Sequence, residues 1–359
     1  MSEYLEKLRA ENLITDEFSE FENRSIASGK LFFIARPKEP YAGILDFFLS
    51  LQLKKIIPQD SESKILIPYI LIVESINEAV ELSKKSDSGA VILKSGRVII
   101  WGKGKSIILA VMYGAVCNAL FIKFFSLMLD KKRKNNLGGS DLKIVDTVRG
   151  KLAKYSLINL SLMQGPFKTE TEIIEGIKIA GKELVTSGLV NSFFGNISYR
   201  FREKIYISKT GAFLDSLDNG IVECNIKGNN VCVENASSEF PSHLKIYKMT
   251  GYGSIIHGHP PFTVILSMDC NIKECQKSKR CFYTCNYERE ISGIPIVSGK
   301  TGSGRYGLDK VLPDKINRVG KAIVYGHGVF IAGKEDFREA VSEMRRIEEM
   351  CKEEYFKKF

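Results

Sequence analysis

The spacing of apolar and polar positions predicts a mixed α/β chain. After the break at Gly165-Pro166, residues 169–189 have the periodicity of an amphipathic helix, with Thr171 as candidate cap and Gly188 near its end. Short apolar runs typical of strands lie at residues 196–199, 204–208, 221–233, 254–257, 294–297 and 322–332. Helices are predicted at residues 237–250, 309–319 and 335–357, and residues 262–267 fit a helix or a strand.

One long apolar segment, residues 106–129, lies in the first half of the chain. Its length nearly suffices to cross a bilayer. Asn118 and Lys123 interrupt it, so we predict a buried core or interface helix and no membrane partner. The sequence begins without an apolar signal region, and the cytoplasm is the expected compartment.

The length of 359 residues permits two domains. A polar, basic run at residues 131–141 ends the first unit, which leads us to predict an N-terminal α/β domain at 1–140 without catalytic motifs, a linker at 141–165 and a second domain at 166–359. The net charge of +10 is spread over both halves. It does not form a basic arm, and we expect no nucleic-acid partner.

A weak internal similarity links the two halves. Residues 89–102 and 321–333 share a strand, turn and strand pattern that continues into an apolar helix. Aligning their closing glycines places Gly96 at the position of His327. The first half is therefore interpreted as a possible degenerate copy of the second that lacks this histidine.

Histidine is rare and clustered in this chain. All four histidines lie between residues 243 and 327, with His257 and His259 in an H-x-H pair and His327 between two glycines. Residues two apart on a strand point to the same face, so both rings of the pair can reach one ion. A single histidine is commonly a hydrogen-bonded core residue, but three imidazoles with an open fourth position are typical of catalytic zinc. We predict Zn²⁺ or another divalent metal on His257, His259 and His327.

Glu239 lies at the start of a predicted helix and is the candidate catalytic residue. It is placed to be a fourth ligand or a general base, and the alternative is a glutamate of a capping box. His243 follows one helical turn later. It either orients Glu239 or fills a polar pocket.

Three short segments contain the groups that a phosphate site requires, namely turn glycines, small hydroxyls and a helix N-terminus. They are Gly195-Asn196, Thr210-Gly211 and Ser237-Ser238. Each is an ordinary turn sequence by itself, and the prediction rests on their recurrence around the histidines.

Four of the eight cysteines lie close together, with the spacing C-x4-C-x5-C-x3-C. They are Cys270, Cys275, Cys281 and Cys285. The spacing is wider than the C-x2-C of zinc ribbons. A second metal site or a redox-sensitive thiol cluster, free loop thiols and disulfides are all compatible with it.

The order of these motifs resembles the class II aldolase/adducin family over residues 166–359. The matching segments are Gly195-Asn196-Ile197-Ser198-x-Arg200, Ser208-x-Thr210-Gly211, Ser237-Ser238-Glu239-x-x-x-His243, His257-x-His259-Pro260 and Gly326-His327-Gly328. Phe193 and Phe194 depart from it, since family aldolases have small and hydroxylated residues there.

The resemblance implies a three-layer α/β/α sandwich around a mostly antiparallel sheet. It also implies a zinc-like ion on the three histidines, Glu239 as acid/base, phosphate contacts from the three turn segments, and a homo-oligomer, commonly a tetramer with sites between subunits. In the family, a tyrosine of the neighbouring subunit can complete the site, and four tyrosines of this chain are candidates for it. They are Tyr283, Tyr287, Tyr306 and Tyr355.

Our leading hypothesis is therefore a divalent-metal-dependent aldolase or lyase acting on a small phosphorylated sugar through a metal-stabilised enediolate. An epimerase, dehydratase or decarboxylase can use the same ion. The alternative of another class is a non-catalytic, adducin-like structural or binding protein, although adducin-like domains lack the ligand set that this chain keeps.

Overall fold

A computed structural model of the chain describes residues 3–22, 30–152, 162–190, 194–227, 231–272, 275 and 280–359. The chain divides into two compact units, Met1–Lys154 (unit 1) and Tyr155–Phe359 (unit 2). Both combine helices with one sheet, which confirms the mixed α/β class.

Unit 1 has its described strands in one six-stranded sheet of order β1-β2-β6-β5-β4-β3, antiparallel except between β4 and β5. The strands are β1 (Ile14–Glu22), β2 (Lys30–Pro37), β3 (Lys55–Ile56), β4 (Ile70–Val73), β5 (Ser88–Leu93) and β6 (Arg97–Lys103). The helices are α1 (Glu3–Ala10), α2 (Tyr41–Ser50), α3 (Ser61–Leu66), α4 (Ile76–Ser83), α5 (Ile107–Arg133) and α6 (Gly139–Gly150).

Helix α5 is the long apolar segment found in the sequence. Among the described residues it is the one helix long and apolar enough to cross a membrane, and 83% of its most apolar stretch is buried inside the protein. It packs on α1, α2 and α3 and on strands β5 and β6. Burial on nearly all sides is typical of the central helix of a core, as predicted for this segment.

Unit 2 has its described strands in one eight-stranded sheet of order β11-β12-β13-β14-β10-β7-β8-β9, antiparallel except between β12 and β13. The strands are β7 (Asn196–Phe201), β8 (Lys204–Ser208), β9 (Ile221–Asn225), β10 (Ser254–Gly258), β11 (Arg289–Ile291), β12 (Ile294–Val297), β13 (Lys321–Val324) and β14 (Gly328–Gly333). The helices are α7 (Glu170–Thr186), α8 (Phe240–Met249), α9 (Pro261–Met268), α10 (Leu308–Val319) and α11 (Arg338–Phe356).

The core of unit 2 forms where helices pack on this sheet. Helices α8 and α10 pack on one another, and Ile246 and Leu312 share a buried cluster with the strand residues Ile255 and Phe330. Helices α9 and α11 form a second packed pair, with α11 contacting β10 and β14. The central strands that carry the histidines are therefore held between buried apolar side chains.

Two sequence predictions about helix and strand limits are wrong. The cap of α7 is Thr169, whose side chain accepts a hydrogen bond from the amide of Glu172, and not Thr171. The strand predicted at residues 221–233 ends at Asn225, and a short 3-10 helix follows at Val231–Glu234. A disulfide between Cys224 and Cys232 joins these two pieces, and the sequence did not predict it.

The strand predicted at residues 322–332 is a hairpin. Strands β13 and β14 are antiparallel, and the chain reverses between them through Tyr325, Gly326 and His327. Gly326 has a φ of +58°, a conformation that glycine adopts without steric cost. The amide of His327 closes the turn on the carbonyl of Val324 at 3.1 Å. His327 therefore lies in a turn and not within a strand.

The sheets of the two units share a topology. The order β3-β4-β5-β6-β2-β1 in unit 1 corresponds to β11-β12-β13-β14-β10-β7 in unit 2, and the parallel pair is in the same place in both. A helix follows β2, β4 and β6 in the same way that α9, α10 and α11 follow β10, β12 and β14.

Candidate metal centre

His257 lies in the central strand β10, between β7 and β14, and is fully surrounded by protein. Its Nδ1 donates to the carbonyl of Val329 at 3.0 Å, so the lone pair is on Nε2. The ring of Phe330 stacks on the imidazole with centroids 4.0 Å apart. Burial, and then the neighbouring His259 and His327, lower the pKa of His257 well below its usual value, which keeps the ring neutral.

The structure brings the three predicted imidazoles together. Nε2 of His257 lies 2.8 Å from Nε2 of His259 and 3.1 Å from Nε2 of His327. All three ligand atoms are within 4.8 Å of one another. Tetrahedral zinc with bonds of about 2.0–2.1 Å separates its nitrogen ligands by roughly 3.3 Å. These spacings, together with the burial of all three rings, fit a small divalent cation.

His259 lies just past the end of β10, where its amide donates to the carbonyl of Leu189 at 3.1 Å. The ring of Phe194 stacks against its imidazole, with centroids 5.7 Å apart. Pro260 and Pro261 then begin helix α9. The orientation of the His257 side chain is therefore set by its position in strand β10, whereas that of His259 is set by the segment that leads into helix α9.

Glycine is required on both sides of His327 because neighbouring backbone and ring atoms leave no space for a Cβ. A Cβ added at Gly328 would lie 2.2 Å from the carbonyl oxygen of Gly258 and 2.7 Å from the ring of His259. A Cβ at Gly326 would lie 2.5 Å from the ring of Phe282. The motif Gly326-His327-Gly328 thus keeps the turn close against the H-x-H pair.

Glu239 is buried beside the histidines. Its Oε1 lies 3.8 Å from Nε2 of His327, and its Oε2 accepts a hydrogen bond from Ser242 Oγ at 3.3 Å. The residue occupies the N-cap position of α8, but its side chain makes no capping hydrogen bond. This geometry supports the predicted carboxylate beside the site and disfavours the capping-box alternative.

His243 is not placed to bind the ion or to orient the side chain of Glu239. Its Nε2 lies 2.6 Å from Oδ1 of Asn196, and its Nδ1 lies 2.7 Å from Oγ of Ser198. The Ser198 hydroxyl continues to Tyr247 Oη at 2.9 Å. Complete burial lowers the pKa of His243 to about 3, so the ring is neutral. The fourth histidine is therefore a buried hydrogen-bonding residue.

The candidate phosphate residues fall into two groups. Gly195 and Asn196 lead into β7 beside the site, and Asn196 pairs with His257 across the sheet. Gly195 has a φ of +107°, and a Cβ there would lie 2.6 Å from the carbonyl oxygen of His257. Asn196 is buried with its amide oxygen turned to His243.

The second group is assembled by backbone hydrogen bonds between two loops. The amide of Thr210 donates to the carbonyl of Asn235 at 3.1 Å, and the amide of Ser237 donates to that of Ser208 at 3.0 Å. Thr210-Gly211 and Ser237-Ser238 are therefore neighbours. Ser237 is buried, whereas Thr210, Gly211 and Ser238 are exposed to solvent.

The four clustered cysteines lie outside this centre. Among the described residues, the three histidines are the one group of three or more potential metal ligands within 4.8 Å of one another. Cys281 is buried, and the other three cysteines are half-buried. Cys285 also lines a cavity of about 810 Å³ whose lining includes none of the predicted histidine ligands, Glu239 or the candidate phosphate residues.

That cavity also contains three of the four candidate tyrosines. Tyr283, Tyr287 and Tyr306 are exposed along it, whereas Tyr355 is fully buried among Phe262, Phe356 and Phe359. Burial removes Tyr355 as a residue that could reach another subunit.

Sequence reasoning missed Glu348, a buried carboxylate of α11. It accepts hydrogen bonds from the amides of Phe262 and Thr263 at 2.8 and 2.9 Å, and from the Thr263 hydroxyl at 2.9 Å. It therefore caps the N-terminus of α9, directly after His259. Its place among the charges of an amphipathic helix gives no sign of this long-range contact.

Comparisons with known proteins identify the family of this chain. A family model described as the class II aldolase and adducin N-terminal domain matches residues 176–355. A search of curated proteins found no match. L-fuculose-1-phosphate aldolase from Thermus thermophilus is 23% identical, with 52% of this chain and 94% of that chain covered and a TM-score of 0.43. A sugar-phosphate aldolase from Thermotoga maritima is 21% identical, with 51% and 93% covered and a TM-score of 0.39. The family match spans half of the sequence, and the chain belongs to the class II aldolase and adducin family.

Proposed function

We propose that unit 2 is a divalent-metal-dependent aldolase or related carbon–carbon lyase acting on a small phosphorylated sugar. The observation that carries the proposal is the convergence of three buried imidazoles with the Glu239 carboxylate 3.8 Å from His327. Three nitrogen ligands leave a coordination position for substrate.

The proposed site has three roles, which are polarisation of the substrate by the cation, proton transfer by Glu239 and binding of the phosphate. When bound, the cation supplies Lewis-acid polarisation of the hydroxy-carbonyl end of the substrate. Glu239 accepts and returns the proton, because its carboxylate borders the ligands and is shielded from water. The phosphate contacts come from Gly195, Asn196, Thr210, Gly211, Ser237 and Ser238. Thr210 and Ser237 contribute their hydroxyls, because their backbone amides donate to the carbonyls of Asn235 and Ser208.

The same residues are compatible with epimerase, dehydratase or decarboxylase chemistry, and product analysis separates these. A non-catalytic, adducin-like role is disfavoured because this chain keeps the complete ligand set. We further propose the family's three-layer sandwich for unit 2, a homo-oligomer such as a tetramer, and a cytoplasmic location.

We also propose that unit 1 is a degenerate copy of the catalytic fold, and sheet register supports this. Aligning hairpin β5–β6 with β13–β14 at their closing pairs places Gly96 where His327 lies. The same alignment matches Ile99 with Phe330, and their partners in the next strand are Ile34 and His257. Two of the three ligand positions therefore hold residues that cannot bind a metal through a side chain.

Arg36 takes the third position, two residues after Ile34, where His259 stands in unit 2. Its Nη1 donates to the carbonyl of Gly96 at 3.2 Å, and its Nη2 pairs with Asp46 at 2.7 Å. A guanidinium is permanently cationic and is not a metal ligand. Unit 1 is accordingly assigned no metal and no catalysis.

A substrate screen tests the proposed function. The full chain, loaded with Zn²⁺, is incubated with a panel of sugar phosphates, and products are identified by mass spectrometry and NMR. We expect cleavage of at least one compound to two carbonyl-containing fragments, and loss of that activity in His257→Ala. Turnover that survives in His257→Ala, or intact but rearranged products, would argue against a lyase at this site.

A further inference from the structure

Four cysteines lie close together in the sequence of unit 2, outside the histidine centre. Cys270 follows Asp269, the C-cap of α9. The amide of Cys275 donates to the carbonyl of Ile272 at 3.3 Å. Cys281 lies in a turn and Cys285 directly after it, since the amide of Thr284 donates to the carbonyl of Arg280 at 3.0 Å. One short segment thus carries four described thiols, of which Cys270 follows a helix end and Cys281 lies in a turn.

The four thiols share one neighbourhood. Cys281 is buried and lies within electrostatic range of the thiols of Cys285, Cys275 and Cys270. All four are described, and none is in a disulfide, in contrast to Cys224 and Cys232. Four thiol side chains grouped around one buried member are the donor set of a closed, structural zinc site.

The segment packs against the turn that carries His327. The side chain of Cys281 is hydrogen-bonded to that of Tyr325, and the ring of Phe282 meets the Tyr325 ring edge-on at 5.1 Å. Phe282 also occupies the space beside Gly326, whose amide donates to Ser267 Oγ at 2.8 Å. Whatever fixes the cysteine segment therefore also fixes the position of this turn.

A cationic side chain lies next to the same residues. Arg289 donates to the carbonyls of Ser267 and Asp269, each at 2.9 Å, and its guanidinium lies over the Tyr325 ring. Four thiolates on one dication carry a net charge of −2, and a neighbouring guanidinium offsets part of that charge.

We propose that Cys270, Cys275, Cys281 and Cys285 bind one zinc-type divalent ion as a structural site that fastens this segment to the turn carrying His327. The described part of the segment does not hold three of these sulfurs within 4.8 Å of one another. Coordination therefore draws the thiols inward around the ion. This site is separate from the histidine centre and does not depend on the proposed aldolase activity.

Metal stoichiometry tests the proposal on the full chain, reconstituted with Zn²⁺ under reducing conditions and analysed by elemental mass spectrometry. We expect about two equivalents per chain, one for each site. The double variant Cys281→Ser/Cys285→Ser should retain one equivalent, as should His257→Ala. Combining all three substitutions should leave none. Cys117→Ala, a buried thiol of unit 1, is the matched control and should keep both.

Cobalt substitution identifies the ligands independently. Co²⁺ on thiolates gives a strong sulfur-to-metal charge-transfer band in the near ultraviolet, which a histidine site does not give. We expect this band in His257→Ala and not in the double cysteine variant. Since that variant could misfold, Cys270→Ser, at a half-buried position, serves as a second test with the same expected loss.

Three results would overturn the proposal. They are a chain without the charge-transfer band, a cysteine variant that keeps both metal equivalents, and disulfides among the four cysteines after reconstitution. Loss of turnover in His257→Ala with the band retained would leave this second site intact, whatever becomes of the proposed function.

Discussion

Nε2 of His243 lies 2.6 Å from Oδ1 of Asn196, joining the buried side of α8 to the candidate phosphate site. Because the oxygen of the amide faces His243, its nitrogen is turned elsewhere and can donate to an anion. The second ring nitrogen binds Ser198, so the imidazole is fixed on both sides. His243 is accordingly interpreted as a positioning residue for Asn196.

His243→Ala should raise KM for a phosphorylated substrate about fivefold while changing kcat little, because a hydrogen bond is worth about 1 kcal/mol. Metal content should stay unchanged. In a double-mutant cycle with Asn196→Ala the two effects should not add, since one acts through the other. Additive effects would contradict the positioning role, and Tyr247→Phe, two links away, should give a smaller change.

Glu239→Gln should abolish most turnover while the metal remains bound. The substitution keeps the shape of the side chain but removes its ability to accept a proton. We expect kcat to fall by about 10²–10⁴, measured on the substrate found in the screen, with one equivalent of ion still on the histidines. A variant that loses the ion would show that Glu239 is a ligand.

Gly328→Ala should weaken metal binding although it replaces none of the candidate ligands. Its Cβ would lie 2.2 Å from a backbone oxygen and 3.0 Å from the ring of His257, so the strands must separate. We expect a loss of about 1–3 kcal/mol in unfolding free energy and weaker metal binding in a chelator competition. Gly251→Ala, where a Cβ meets nothing within 4 Å, is the control. Equal effects of both substitutions would contradict the packing argument.

Glu348 should make stability depend on pH. Burial, opposed by the hydrogen bonds from Phe262 and Thr263, raises the pKa of its carboxyl from 4.5 to about 7. Because the pKa is raised in the folded state, the stability contributed by the protonated Glu348 carboxyl is fully present below pH 4.5. It is lost as pH rises from 4.5 to 7, the range in which the native state keeps a proton that the unfolded chain releases. The change is on the order of 3 kcal/mol.

Urea unfolding of the unsubstituted chain and of Glu348→Gln between pH 4 and pH 8 measures how the Glu348 carboxyl contributes to the unfolding free energy at each pH. Glutamine does not titrate, so the difference in unfolding free energy between the two proteins should shift with pH in this window. Parallel pH curves would show that the carboxyl titrates normally.

Local patterns in the sequence revealed much of the fold. The limits of β8 and β12, and those of α10 to within one residue, follow from apolar runs bounded by polar and glycine positions. Residues 322–332 were predicted as one strand because both arms of the hairpin β13–β14 are apolar, although the similarity of residues 321–333 to residues 89–102 indicated a strand, a turn and a strand. A period of two does not reveal the reversal, which the antiparallel pairing of the two strands and the positive φ of Gly326 show.

Part of the candidate site, namely its three histidines, was predicted from residue composition and not from the apolar pattern. Histidine is rare in the chain, so the clustering of His257, His259 and His327 stood out without any structure. The partners of His243 and Glu348 lie 47 and 86 residues away in sequence, and no spacing rule connects them. The candidate ligands were therefore predictable from composition, whereas the residues that orient the candidate site depended on tertiary packing.

The central claim is that three imidazoles hold one divalent cation. X-ray absorption at the zinc edge, on a chain carrying Cys281→Ser and Cys285→Ser, measures the first ligand shell at this site alone. We predict nitrogen or oxygen ligands at about 2.0–2.1 Å with the outer-shell scattering of three imidazoles, reduced in His257→Ala and unchanged in His243→Gln. A chain that binds no zinc, or whose zinc spectrum is identical in His257→Ala, would contradict the account.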